Sequence, residues 1–254
     1  MYAITGLTDT QGAELIARLE AAGVGSSPGG GRPACLDLHT AVTVVLVYLR
    51  RNLAQAAIGE LFGISQPTVS RTIAALEGPI ETALARHVPT LEDLPEQLVL
   101  VFDGTLTPCW SYQDHPELYS GKHHTTGHNH QVASSTDGEV IWISDPLAGS
   151  THDKAAWDHH HIAEHVNLDQ VIADKGYQGT GVISPRKKPA GGQLAKSDHQ
   201  RNTSINKIRW AVEQANAHIK TWRILHTDYR RPFRTYAQAF RTIRSLIFFT
   251  QAFE

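Results

Sequence analysis

Val171-Ile172-Ala173-Asp174-Lys175-Gly176-Tyr177-Gln178-Gly179 is the stretch whose reading decides the fold. Apolar residues run straight into one carboxylate, and a Gly-Tyr-x-Gly turn follows. A short apolar run before a turn reads as a buried strand of an α/β sheet. Open α/β sheets carry their chemistry at the carboxyl ends of their strands. Asp174 is therefore a candidate functional acid, in need of partners elsewhere in the chain.

A second strand, Leu98-Val99-Leu100-Val101-Phe102, ends in Asp103-Gly104-Thr105 and places another carboxylate at a strand end. His128–Ser135 and Glu139–Ser144 form a hairpin through Thr136-Asp137-Gly138. Thr151 or Asp153 opens a helix through Trp157. Residues 184–200 read as a basic loop, Thr203–Leu225 as a long helix and Tyr236–Phe249 as a closing helix. This order is compatible with an α/β (α+β) fold of ribonuclease-H-like type, a mixed sheet flanked by helices.

An all-α region precedes it. Residues 8–22 and Leu36–Arg51 carry helical apolar stripes, separated by a flexible loop containing Gly29-Gly30-Gly31. Ala54–Phe62, the tight turn Gly63-Ile64-Ser65 and the helix Gln66–Leu76 follow, with Ser65 as cap and Pro67 in the first turn. Val69, Ile73 and Leu76 face inward, leaving Gln66, Thr68 and Arg71 outward. That is the layout of a helix-turn-helix, whose second helix presents its N-terminal side chains to a major groove; an ordinary helical hairpin is the alternative. Ile80–His87 closes this part. The expected organisation is 1–88 helix-turn-helix domain, 89–97 linker and 98–254 catalytic domain.

The chain has 254 residues, 41% hydrophobic and 19% charged, a globular composition. No apolar run suggests a membrane span, and no signal peptide is visible. Cys35 and Cys109 form no CxxC pair, which fits a reducing cytoplasm. Residues 1–183 hold 9 Lys/Arg against 21 Asp/Glu, net −12, whereas 184–254 hold 14 against 4, net +10. Such polarity suits a basic face for a polyanion, or a solvated charged surface.

Asn206, Arg209, Glu213 and Lys220 lie along one stripe of the long helix. The bland reading is a solvated face with an Arg209–Glu213 pair of small value. The functional reading adds Glu213 to Asp103 and Asp174 as a carboxylate set. Mg²⁺ takes oxygen ligands, and two such ions can serve the attacking and leaving oxygens of a phosphodiester.

Asp103-Gly104-Thr105, Tyr119-Ser120-Gly121-Lys122, Gly149-Ser150-Thr151-His152-Asp153, Ala173-Asp174-Lys175-Gly176-Tyr177 and Arg209-x3-Glu213-x6-Lys220 occur in that order. Together they resemble the DDE transposases of bacterial insertion sequences, in the insertion-sequence-5 and Harbinger-like group. The resemblance covers most of 98–250. It implies a DDE triad of Asp103, Asp174 and Glu213 binding two Mg²⁺ (or Mn²⁺). It also implies cleavage at transposon ends and joining of the 3′-hydroxyl to target DNA. Arg209 and Lys220 match the family signature, while Asn206 stands at its tyrosine position. Lys122, Arg209, Lys220 and the run Arg186-Lys187-Lys188 would contact phosphates. The expected partners are double-stranded terminal repeats and target DNA, with a homo-oligomer on DNA.

Asp153 is a possible supporting acid, or a helix N-terminal acid answering the macrodipole. Among the 15 histidines, His123-His124, His128-x-His130 and His159-His160-His161 cluster. They leave open a His-bound metal hydrolase, although no HExxH is present. A domesticated transposase that binds DNA without catalysis is the other alternative.

Overall fold

The computed structural model describes residues 2–25, 35–189 and 191–253; Gly29-Gly30-Gly31 lies outside them. The chain divides into two compact units, Met1–Val88 with Lys220–Glu254, and Pro89–Ile219.

The first unit opens with helices α1 (Tyr2–Thr5), α2 (Asp9–Ala21) and α3 (Leu38–Arg51). Thr8 and Gln11 form a capping box at α2. The apolar run of α3 is buried from Val44 to Leu49. The helices α4 (Gln55–Phe62) and α5 (Gln66–Leu84) follow across a turn in which Gly63 adopts φ +66°. Sequence alone ends the second of these at Leu76, before Gly78-Pro79. The structure carries it through Pro79 to Leu84, because Ile73, Leu76, Ile80 and Leu84 continue one buried face. An interior proline costs about 3 kcal/mol, and each fully buried apolar side chain recovers roughly 1.5–3 kcal/mol.

The second unit is built on a mixed sheet. Its strands are β1 (Leu100–Pro108), β2 (Tyr119–Ser120), β3 (Thr125–Ser134), β4 (Val140–Ile143), β5 (Leu147–Ala148) and β6 (Val171–Ala173). The order is β2-β3-β1-β6, with β4 and β5 also pairing with β3. β1 runs antiparallel to β3 and parallel to β6. The β3–β4 hairpin turns at Gly138, φ +89°. Helix α6 (Asp153–His159) precedes β6, and α7 (Lys196–Lys220) follows it. The long helix thus starts and stops earlier than Thr203–Leu225. Phe102 and Trp157 meet edge to face at 5.1 Å in a core that also holds Trp142, Val171, Ala173 and Tyr177.

The closing helix α8 (Tyr236–Gln251) belongs to the first unit, although sequence reading keeps 220–254 with the sheet. Its apolar side, Phe240, Ile243, Leu246 and Ile247, is buried. Thr242 donates to the carbonyl of Glu77 at 2.9 Å, and Arg241 pairs with Glu81 at 3.1 Å, so α8 is tied to α5. Arg231 meets the buried Glu77 at 2.5 Å. No helix of the described residues is long and apolar enough to cross a membrane.

Candidate active site

Parallel pairing between β1 and β6 runs Leu100–Val171, Val101–Ile172 and Phe102–Ala173. Asp103 and Asp174 are the next residues on the two chains, so they start from adjacent positions, about 5 Å apart across neighbouring strands. Sequence places Asp103 at a strand end. In the structure it is the fourth residue of a nine-residue strand. What ends beside it is the pairing with β6; β1 itself continues because β3 supplies partners as far as Pro108.

Asp103 turns toward α7. Arg209 Nη2 lies 3.6 Å from its Oδ1, and Asn216 Nδ2 donates to its Oδ2 at 3.3 Å. Burial pushes the Asp103 carboxyl up to about 6. The Arg209 guanidinium opposes that rise, Asp174 and Asp153 add to it, and Lys122 opposes it. Asp174 is half-buried and accepts the Gly176 N–H at 2.6 Å, which fixes it at the head of its turn.

Asp153 is a third carboxylate at this place. It is the first residue of α6, as a helix N-terminal acid should be, and it is also buried and ion-paired with Lys122 at 2.9 Å. A Cβ on Gly104 would lie 2.1 Å from its Oδ1, and one on Gly176 would lie 3.0 Å from its Oδ2. Burial works against the Lys122 charge, but the bond to Asp153 and the charges of Asp153, Asp174 and Asp103 raise its pKa overall.

A polar ladder supports these acids. The Tyr177 hydroxyl donates to Gln131, Gln131 Nε2 donates to Asn129 Oδ1 at 3.1 Å, and Asn129 Nδ2 donates to the Thr151 carbonyl at 2.9 Å. It joins the turn after Asp174 to the loop that delivers Asp153. Tyr177 is wholly buried and packs this turn, while Lys175 is exposed. Sequence reading missed Asn129, Gln131 and Asn216. Polar side chains two apart inside a buried strand, and an amide three residues beyond Glu213 on its stripe, were the available signals.

Glu213 is exposed, between Arg209 and Asn216 on the α7 stripe. The Arg209–Glu213 pair of the bland reading gives way to Arg209–Asp103, since a buried carboxylate needs a counter-charge more than an exposed one. Among the described residues no group of three His, Cys, Asp or Glu side chains is disposed to hold a metal ion. The residues nonetheless fit a hard divalent cation. The donors are all oxygens, Asp103 sits in surplus negative charge, and the Asn216 Oδ1 is buried without a hydrogen-bond partner. Among the described residues the histidines offer no rival metal-holding group. His128 and His130 are buried in β3, and burial brings His128 and His160 down to about 4.

In the first unit, Gln66 and Arg71 are exposed at the start of α5 and Thr68 is half-buried. Ser65 caps the helix by accepting the Thr68 N–H. Gln66 donates to Gln55 at 2.7 Å, and Arg71 donates to the Pro67 carbonyl at 3.2 Å. A Cβ on Gly59 would sit 2.6 Å from the Ile64 carbonyl oxygen, so α4 and the turn need glycine there. In the second unit, Arg186 is anchored by Asp198 at 2.8 Å and by Asn202, which bonds its backbone on both sides. Lys187 and Lys188 are exposed and have no ion pair among the described residues. Lys220 is the last residue of α7.

Residues 102–247 match the family model described as DDE superfamily endonuclease, and residues 34–84 match the helix-turn-helix of DDE superfamily endonuclease. A protein of Streptomyces albus G named as a transposase for insertion sequence element IS112 is 32% identical over 223 residues, covering 87% of this chain and 83% of that protein. One of Microchaete diplosiphon, named as a transposase for insertion sequence element IS702, is 28% identical over 218 residues, covering 81% and 78%. No solved structure matches the chain. With an acid pair on adjacent strands, a patterned helix beside it and a helix-turn-helix upstream, the chain belongs to the DDE superfamily endonucleases, as a DNA transposase of the insertion-sequence kind.

Proposed function

We propose that Asp103, Asp174 and Glu213 are the acids of the reaction centre, and that they hold two Mg²⁺ (or Mn²⁺). The observation that carries this is the adjacency of Asp103 and Asp174 beyond the last β1–β6 pair, with Arg209 and Asn216, the neighbours of Glu213 on its helix stripe, reaching Asp103. DDE superfamily endonucleases use divalent metal ions, which supply charge neutralisation at the attacking and leaving oxygens. The chain's own residues position the DNA. Arg209 remains at Asp103 and offers its other N–H groups to a phosphate. Asn216 orients the Asp103 carboxylate. Water attacks a phosphodiester at the transposon end and displaces the 3′-oxygen; the freed 3′-hydroxyl then attacks target DNA. Both steps are in-line displacements that depend on positioning and electrostatics.

Gln66, Thr68 and Arg71 read the terminal repeats from the major groove. Lys122, Arg186, Lys187, Lys188, Arg209 and Lys220 engage phosphates. Two ends must be processed together, so a homodimer or larger assembly forms on DNA in the cytoplasm. The test is Mg²⁺-dependent nicking of DNA carrying the element's ends, wild type against Asp174→Asn. Nicking lost in the variant supports the reading. Tight DNA binding by wild type with no nicking under any divalent metal makes it a DNA-binding protein instead.

A further inference from the structure

The three-acid scheme gives Lys122 only a phosphate to engage and Asp153 no part, yet the two are paired at 2.9 Å beside the acids. Asp153 is 9% exposed at its side chain and occupies the space that side chains at 104 and 176 would fill. Those glycines directly follow Asp103 and lie two residues beyond Asp174. The Asp-Gly and Asp-x-Gly spacings therefore admit a third carboxylate between the two strand acids. The hydrogen-bond ladder from Tyr177 to Thr151 holds the loop that carries it. Lys122 reaches this carboxylate from the turn after β2. Its side chain is 52% exposed, beside an open cavity of about 200 Å³ lined by Ser120, Asn129 and Thr151. One end of this cation is pinned to a buried acid while its side chain stays half exposed.

We propose that Lys122 is a tethered counter-cation of the Asp103–Asp174 pair, positioned by Asp153, and that a divalent ion must bind against it. Three carboxylates crowded where β1 and β6 part repel one another, and an ammonium held among them relieves that repulsion. The same ammonium repels an incoming metal ion. Lys122 thus relieves repulsion in the metal-free site and sets how tightly metal is held; Asp153 acts through Lys122 as a positioning residue. The inference rests on the reading of Asp103 and Asp174 as metal ligands.

The experiment is Mn²⁺ binding to the full chain without DNA, by calorimetry and by the metal-induced rise in melting temperature. The proteins are wild type, Lys122→Met, Lys122→Arg, Asp153→Asn, Asp174→Asn and the Lys122→Met/Asp153→Asn double variant. Lys122→Met should bind Mn²⁺ about three- to tenfold tighter, as removal of one nearby like charge predicts. It should also melt lower without metal and gain more on its addition. Lys122→Arg keeps the charge and should resemble wild type. In the Asp153→Asn background the Lys122→Met effect should largely vanish, because the tether is already gone. Equal affinity in wild type and Lys122→Met overturns the proposal, as does a Lys122→Met effect undiminished by Asp153→Asn. If Asp174→Asn binds Mn²⁺ as wild type does, the two-strand metal reading fails instead.

Discussion

The carboxylate of Asp153 stands where a side chain of residue 104 would be: a Cβ on Gly104 would lie 2.1 Å from Asp153 Oδ1. Glycine at 104 is therefore a packing requirement of the site. The Gly104 backbone is an ordinary strand position, and conformational freedom plays no part in the choice.

Gly104→Ala should accordingly displace Asp153 or distort β1. Overpacking of this kind costs about 1–3 kcal/mol, read as a lower denaturant midpoint. Metal-dependent nicking should fall with it, since Asp103 is the preceding residue. Wild-type stability and nicking in Gly104→Ala would falsify the packing argument.

Asp103 predicts a pH dependence. Its folded pKa, about 6, lies above the ordinary 3.8, so the folded state holds the proton more tightly than the unfolded chain. That contribution is fully present below pH 4 and is lost as pH rises through 6. Without metal, Asp103→Asn should therefore gain stability relative to wild type between pH 4 and 6. Metal binding runs the other way, because the ligand must be ionised. Wild-type Mn²⁺ affinity should weaken as pH falls through 6, and a flat profile across this range would remove Asp103 from the ligand set.

The helix-turn-helix makes a separate prediction. In Gly59→Ala the new methyl meets the Ile64 carbonyl oxygen at 2.6 Å, and backbone cannot move aside cheaply. The variant should lose about 1–3 kcal/mol and weaken binding to end DNA. Gly63→Ala meets no neighbour, but its φ of +66° is left-handed. It should cost about 1 kcal/mol. Chemical denaturation of both variants tests the order.

Base readout and phosphate contact separate by salt. Lys187→Ala should weaken binding to all DNA sequences similarly and reduce the logarithmic salt slope by about 1. Arg71→Ala should relax preference for the terminal repeat over random DNA. If Lys187→Ala leaves the slope unchanged, that lysine lies off the DNA path.

Arg231 and Glu77 form a buried pair, and burial raises the Glu77 pKa in spite of the guanidinium. Arg231→Met leaves that acid alone, a change that typically costs about 3–5 kcal/mol. The loss should be smaller at acid pH, where Glu77 takes up a proton. Replacing both, as Arg231→Met with Glu77→Leu, should recover most of it. A thermal melt series at two pH values reports both outcomes.

Local signals made much of this molecule legible in its sequence. The apolar run into Asp174, the Asp-Gly hairpin and the capped turn before Gln66 are dictated by period and turn chemistry within a few residues. The stripe on α7 is likewise read from helical spacing. Partners are another matter, because they depend on which distant segments meet. Parallel register sets Asp103 beside Asp174, and pairing with β3 carries β1 past the acid that ends its apolar run. Burial turns Arg209 from Glu213 to Asp103, and the need to cover α5 draws residues 220–254 to the N-terminal helices. Asp153 shows the division most plainly. From sequence it is an acid at a helix start; tertiary packing makes it a buried carboxylate between two glycines, with a lysine at its side.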